Sequence, residues 1–153
     1  MEEANDSEET SNITHVHASY SIISYPASQL PEQYKALIFS KWLRSLRFGN
    51  PVFKKIESSQ YYKNYHLFIE KLLAKPDSII RLAVLTDDHD VVLGFAISRE
   101  DVLDYVHVHG DYRRIGISKK LIPEGITVFS HFTLTWGAIW QSKLKHLKFD
   151  PFA

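Results

Sequence analysis

The chain has 153 residues, with 18 Lys and Arg balanced by 18 Asp and Glu and no cysteine. Disulfides, thiolate metal sites and cysteine nucleophiles are therefore excluded, and zero formal net charge gives no indication of a general affinity for nucleic acid. Apolar residues make up 44% and charged residues 24%, the composition of a globular chain with enough length to bury a core.

No apolar run approaches the roughly 18 residues of a membrane helix. The N-terminus is acidic and lacks the apolar stretch of a secretory signal. The expectation is a cytoplasmic protein with no membrane partner. Residues 1–16 (MEEANDSEETSNITHV) hold almost no large apolar side chain and cannot offset ordering entropy by burial. They are expected to form a disordered acidic tail before one domain spanning 17–153, with docking on a partner as the alternative for the tail.

A strand is expected over Ala18 to Ser24, ended by Tyr25-Pro26. Pro31 opens a helix carrying Tyr34, Leu37, Ile38, Trp42 and Leu46 at helical spacing, and Phe48-Gly49-Asn50-Pro51 stops it. A second helix begins near Ser58, presents Tyr61, Tyr65, Phe68, Ile69 and Leu72, and stops at Lys75-Pro76. Aromatic stripes at helical spacing read first as core facing a sheet.

Ile79 to Leu85 and Val91 to Ser98 read as an antiparallel hairpin, with Gly94 marking a bulge or a close approach of backbone. A further strand runs from Leu103 to His109. A helix starts near Ile115 and is stopped by Pro123. Ile126 to Phe132 then reads as a strand and Trp136 to Leu147 as the last helix. This order predicts an α/β (α+β type) architecture: a mixed, mainly antiparallel sheet with helices on both faces.

Asp104 to Leu121 (DYVHVHGDYRRIGISKKL) combines strand, glycine-bearing basic turn and helix. Such an arrangement can hold a phosphate, because the first helical N–H groups lack intrahelical partners. Arg113-Arg114-Ile115-Gly116-Ile117-Ser118, entered through Val108-His109-Gly110-Asp111-Tyr112, resembles the Q/R-x-x-G-x-G/A signature of the GNAT superfamily of N-acetyltransferases. It matches at Arg113 and Gly116 and departs at Ser118, where glycine or alanine is usual. Within that superfamily the chain is most similar to short GNAT-like proteins of phage and prophage genomes, on Trp42 in the first helix, Leu93-Gly94-Phe95 in a strand and the Asp150-Pro151-Phe152 ending.

The resemblance implies an acyl-CoA N-acyltransferase fold, acetyl-CoA as cosubstrate and an amine acceptor. It places Val106 and Val108 beside the pantetheine arm, where the fourth and fifth strands splay apart. Gly116 would let the backbone approach the pyrophosphate, with the N–H groups of Arg114, Ile115, Gly116, Ile117 and Ser118 lining the turn. Arg113, Arg114, Lys119 and Lys120 would add positive charge.

Amine acetylation needs a base, a polarised thioester carbonyl and an acid for the leaving thiolate. Glu100, His107 and His131 are the candidates for the base. The tyrosine that many members of the superfamily carry on the last helix falls on Leu144, and no tyrosine follows Tyr112. The histidines come with no carboxylate pair or ligand spacing, so no metal site is assigned. The family's usual sixth and seventh strands hardly fit within Phe149 to Ala153, so a truncated C-terminus is expected. Two readings follow. One is an acetyl-CoA-dependent N-acetyltransferase. The other is a catalytically reduced GNAT-fold module that binds a protein partner, with a homodimer able to supply a missing acceptor wall.

Overall fold

The computed structural model describes residues 19–113 and 115–153. The expected tail over 1–16 and the phosphate contact expected of Arg114 lie outside the described residues. Six strands form one sheet whose order follows the chain. Strand β1 (Tyr20–Pro26) leads through a 3₁₀ turn to helix α1 (Glu32–Gly49), the one-turn α2 (Pro51–Lys54) and α3 (Ser58–Leu73). Strands β2 (Ser78–Leu85), β3 (Asp88–Arg99) and β4 (Val102–Val108) form an antiparallel meander, with β1 antiparallel to β2. After a 3₁₀ turn at Gly110–Tyr112 come α4 (Ile117–Leu121), β5 (Val128–Phe129), α5 (Leu134–Lys143) and β6 (Lys148–Phe149). The last two strands pair in parallel, β5 on β4 and β6 on β5. The sheet is therefore mixed and mainly antiparallel.

Strand alternation divides the apolar residues between two cores. Ile80, Leu82, Val84, Phe95, Ile97 and Tyr105 face α1 and α3, where Ile38, Trp42, Leu46, Tyr61 and Ile69 cover them. Ala83, Leu93, Ala96 and Leu103 face the other way, under Ile117 and Leu121 of α4, Phe129, and Trp136 of α5. The helices thus occupy both faces. Tyr34, Ile38, Trp42 and Leu46 recur every four residues, which puts one buried stripe along α1. Among the described residues no helix is long and apolar enough to cross a membrane.

Several element limits differ from the sequence expectations. β1 runs on through Tyr25-Pro26, which pair with Ile80 and Ile79; an edge strand tolerates a terminal proline because one side needs no ladder. Asn50 does more than stop α1. Its Oδ1 accepts from Val52 N–H at 3.0 Å and starts α2. Phe68, expected in the α3 core face, is 42% exposed. The strand expected over 126–132 shrinks to two residues, since the chain leaves β4 after Phe129. The last helix starts two residues early, because Thr133 Oγ1 accepts from Trp136 N–H at 3.1 Å and fixes the first turn.

Gly94 shows both features expected of it. The β2–β3 register shifts beside it, and a Cβ there would lie 2.7 Å from the His107 carbonyl oxygen and 3.2 Å from Val108 Cα. The glycine lets β4 sit close across β3. Gly94→Ala is expected to cost about 1–3 kcal/mol, the range for overpacking, read as a lower urea midpoint with unchanged m-value.

Candidate functional site

The site starts from a bulge. Ile97 pairs with Tyr105, but the next residue, Ser98, pairs with Leu103, so Asp104 is the extra residue of β4. A bulge bends its strand and adds twist. Here it comes where β4 and β5 part: they pair at Val102↔Val128 and Leu103↔Phe129, and Ser130 N–H to Leu103 C=O at 3.0 Å closes the contact.

Beyond that point β4 keeps only its β3 side. His109 N–H donates to Leu93 C=O at 2.8 Å, so by antiparallel alternation the main-chain groups of Val106 and Val108 point to the open side. The cleft left between the strands is a narrow crevice with about 10 Å³ of free space. Leu103 to Val106 form one wall; Phe129, His131, Thr133 and Trp136 form the other.

Asp104 is fully buried. Arg99 grips it in bidentate fashion, Nε to Oδ2 at 2.7 Å and Nη2 to Oδ1 at 2.9 Å. Ser130 Oγ donates to the same Oδ1 at 2.7 Å, and Arg99 Nη2 also reaches the Ala153 backbone oxygen at 2.9 Å. The lost hydration of the charges is offset by fork geometry and a further hydrogen bond.

His131 lies 3.0 Å from Ser130 Oγ through Nδ1 and packs edge-on to Trp42 at 5.8 Å. Burial lowers its pKa, and the nearby Asp104 opposes that shift. Tyr105 shares a 2.6 Å hydrogen bond with Ser45 Oγ and stacks on Trp42 at 4.9 Å; burial raises the pKa of its phenol. Trp136 is 4% exposed, and its indole nitrogen has no hydrogen-bond partner among the described residues.

The glycine turn lies past the other end of β4. Gly116 has φ +84°, a left-handed value that favours glycine, and a Cβ there would meet no atom of the described residues beyond its chain neighbours within 4 Å. Ile117 and Leu121 sink into the core and anchor α4, which leaves Lys119 and Lys120 exposed. Arg113 Nε donates to Val108 C=O at 3.0 Å, joining the turn to the open edge of β4.

The expected site residues fall into three groups. Val106, Val108, Arg113, Ile115, Gly116, Ile117, Ser118 and Lys119 follow one another along the open edge of β4 and its turn, with Ile117 buried at the side chain. His131 lines the cleft. Glu100 and His107 do not. Glu100 occupies the β3–β4 turn with φ +47°, roughly 25 Å of strand from Val108. His107 faces the α1 side, 5.6 Å from Phe95; burial first, then the charges of Arg113 and Lys41, lower its pKa to about 4.

Sequence reading missed Asp104, Tyr105, Ser130 and Thr133. A lone carboxylate inside the apolar run Leu103-Asp104-Tyr105-Val106 was a usable signal for the first, since an acid in a buried strand requires a partner. Nothing local marked the others. Among the described residues no group of three His, Asp or Glu side chains is placed to hold a metal ion.

Similar structures have been solved for acetyltransferases. A Pyrococcus furiosus protein described as an acetyl transferase is 17% identical, with a TM-score of 0.46 over 86% of this chain and 80% of its own. Ribosomal-protein-alanine N-acetyltransferase from Brucella melitensis is 18% identical, with a TM-score of 0.43 over 86% and 78%. AAC(6′)-Iy, in complex with the bisubstrate analogue CoA-S-monomethyl-acetylneamine, is 12% identical, with a TM-score of 0.39 over 87% and 78%. No protein-family model matches the chain, and no curated protein matches its sequence.

Two outcomes follow from the buried groups. Asp104→Ala leaves Arg99 without its carboxylate and is expected to cost about 3–5 kcal/mol, whereas Arg99→Met with Asp104→Leu recovers most of that loss in urea denaturation. Stability should also fall on acidification. Between pH 6.5 and about pH 4 the unfolded chain binds a proton that folded His107 does not, so unfolding becomes easier as pH drops through that window. The shift corresponds to about 3 kcal/mol, with His131 acting in the same direction. His107→Leu should flatten the slope of stability against pH in denaturation series across that window.

Proposed function

We propose that the protein binds acetyl-CoA and transfers the acetyl group to an amine of a small molecule or protein, in the cytoplasm, or a host cytoplasm if phage-encoded. The observation that carries this reading is the parting of β4 from β5 at the Asp104 bulge, together with a left-handed glycine turn past the other end of the same strand. Open space above Gly116 suits a pyrophosphate, because no side chain among the described residues beyond its chain neighbours occupies it. In the proposed complex Arg113, Arg114, Ser118 and Lys119 contact the phosphates. The N–H and C=O of Val106 and the N–H of Val108 pair with the amides of the pantetheine arm, the Val108 C=O being held by Arg113.

Acetyl-CoA supplies an acyl group activated as a thioester. A backbone N–H on the open edge of β4 stabilises the negative charge that develops on the carbonyl oxygen. His131, which burial keeps neutral near pH 7, accepts the proton that the attacking ammonium must lose. The nitrogen–carbon bond forms, the carbon–sulfur bond breaks, and the departing thiolate takes up the second proton that the nitrogen sheds as the amide forms. The cleft, at about 10 Å³ of free space, is far below the roughly 300–1,000 Å³ of small-molecule sites. Residues 130–133 and Trp136 must therefore move outward for the arm to enter.

That narrowness favours a second reading, a module that binds without turnover. Leu144, which falls at the usual tyrosine position, is half-buried and packs into the core instead of presenting an acid.

Isothermal titration with acetyl-CoA is expected to show binding. Gly116→Trp should abolish it, with a folding cost limited to about 1–2 kcal/mol for the left-handed backbone; no detectable binding to the unaltered chain would sink the proposal. Thiol release with a panel of amines separates the two readings. Turnover that drops about 100-fold in His131→Gln supports the transferase, and binding without any turnover supports the module.

A further inference from the structure

We infer that the basic edge formed by Arg113, Lys119 and Lys120 is the docking surface for the acidic N-terminal segment of this same chain, which thereby competes for the edge with phosphate groups. The inference rests on the phosphate-binding role just proposed for that edge. Four observations support it.

The first is charge. Glu2, Glu3, Asp6, Glu8 and Glu9 lie within nine residues, and no Lys or Arg occurs before Lys35. They take five of the 18 acidic residues, so the rest of the chain holds 18 basic residues against 13 acidic ones. The second is position. The segment joins the sheet at the start of β1, and the Lys120 ammonium sits 5.1 Å over the ring of Tyr20, the first residue of that strand. The root of the acidic segment and the basic edge are one side chain apart.

The third is availability. Arg113, Lys119 and Lys120 are exposed, and no carboxylate among the described residues forms an ion pair with any of them; the pairs found there are His66–Glu70, Arg99–Asp104 and His109–Asp111. The fourth is reach. Ser19 lies ten positions after Glu9, and a flexible coil of ten steps has an r.m.s. span of about 17 Å.

Single exposed ion pairs contribute little and are screened by salt. A tether changes this by holding several acids at a local concentration in the millimolar range. Carboxylates and phosphate oxygens accept the same N–H donors, so the segment and a phosphate ligand exclude each other.

The experiment uses the full-length chain, which has no native cysteine. A nitroxide is attached through Ser7→Cys, and paramagnetic relaxation of backbone amides is measured. Strong relaxation at 113–120 is expected, and it should collapse in 0.5 M salt and in a second chain that also carries E2Q, E3Q, D6N, E8Q and E9Q. Relaxation at 113–120 that survives neutralisation of the acids, or that is strongest on α1 or α3, overturns the inference. In the second arm the neutralised chain should bind acetyl-CoA about 3–10-fold more tightly than the unaltered chain, and equal affinities overturn the competition. If neither chain binds acetyl-CoA, the reading of the site as a CoA site fails, and the relaxation data still decide whether the segment docks.

Discussion

The Arg99–Asp104 pair ties the β3–β4 hairpin to the residues after β5 and to Ala153. Arg99 ends β3 and Asp104 sits inside β4; the serine that shares the carboxylate follows β5, and the backbone that shares the guanidinium is Ala153. A charge pair of this kind adds little to stability compared with an apolar replacement of the same shape, because both groups give up hydration. Its effect is on geometry. A fully buried carboxylate must lie where its partners are, and here that requires an extra residue in β4. The bulge, the departure of β5 and the position of His131 beside Ser130 follow from satisfying that one side chain.

The two cores have different tasks around this pair. The core under α1 and α3 is aromatic and continuous, with Trp42 stacked on Tyr105 and in edge contact with His131. It holds one side of the cleft rigid. The core under α4 and α5 sets the other side through Phe129 and Trp136, which meet edge to face at 5.5 Å. Ile117 and Leu121, both buried, hold a helix of only five residues against β3 and β4. The basic turn is therefore fixed by its apolar residues, and its charges are left for solvent or a ligand.

Much of the architecture was legible in the sequence. Apolar runs at Ile79 to Leu85 and at Val91 to Ser98, separated by a polar turn, gave the hairpin, and helical spacing of the apolar residues gave α1 and α3. Gly94 and Gly116 also announced themselves, one by interrupting an apolar strand and the other by its basic setting. What escaped depended on contacts between distant segments. The apolar run 126–132 has the composition of a full strand, yet only two residues of it find a partner, since the bulge in β4 takes the neighbouring edge away. His107 and His131 looked equivalent as strand histidines, but His107 packs beside Phe95 on the sheet, whereas His131 lines the cleft and meets Trp42. No local pattern encodes which face a distant helix will cover.

The parallel pairing of β5 has a consequence for the order of assembly. β2, β3 and β4 are joined by tight hairpins, so their contacts close over short loops and form early. β5 and β6 contribute two residues each, and both pair in parallel, which requires the chain to travel away and return. The second wall of the cleft is thus the last part of the sheet to assemble and is held by the fewest ladder bonds. Regions of that kind open locally at a small fraction of the global free energy of unfolding. Detachment of β5 and β6 would leave the antiparallel β1–β4 ladders in place, so opening of the second wall would be a local event in the C-terminal part of the sheet.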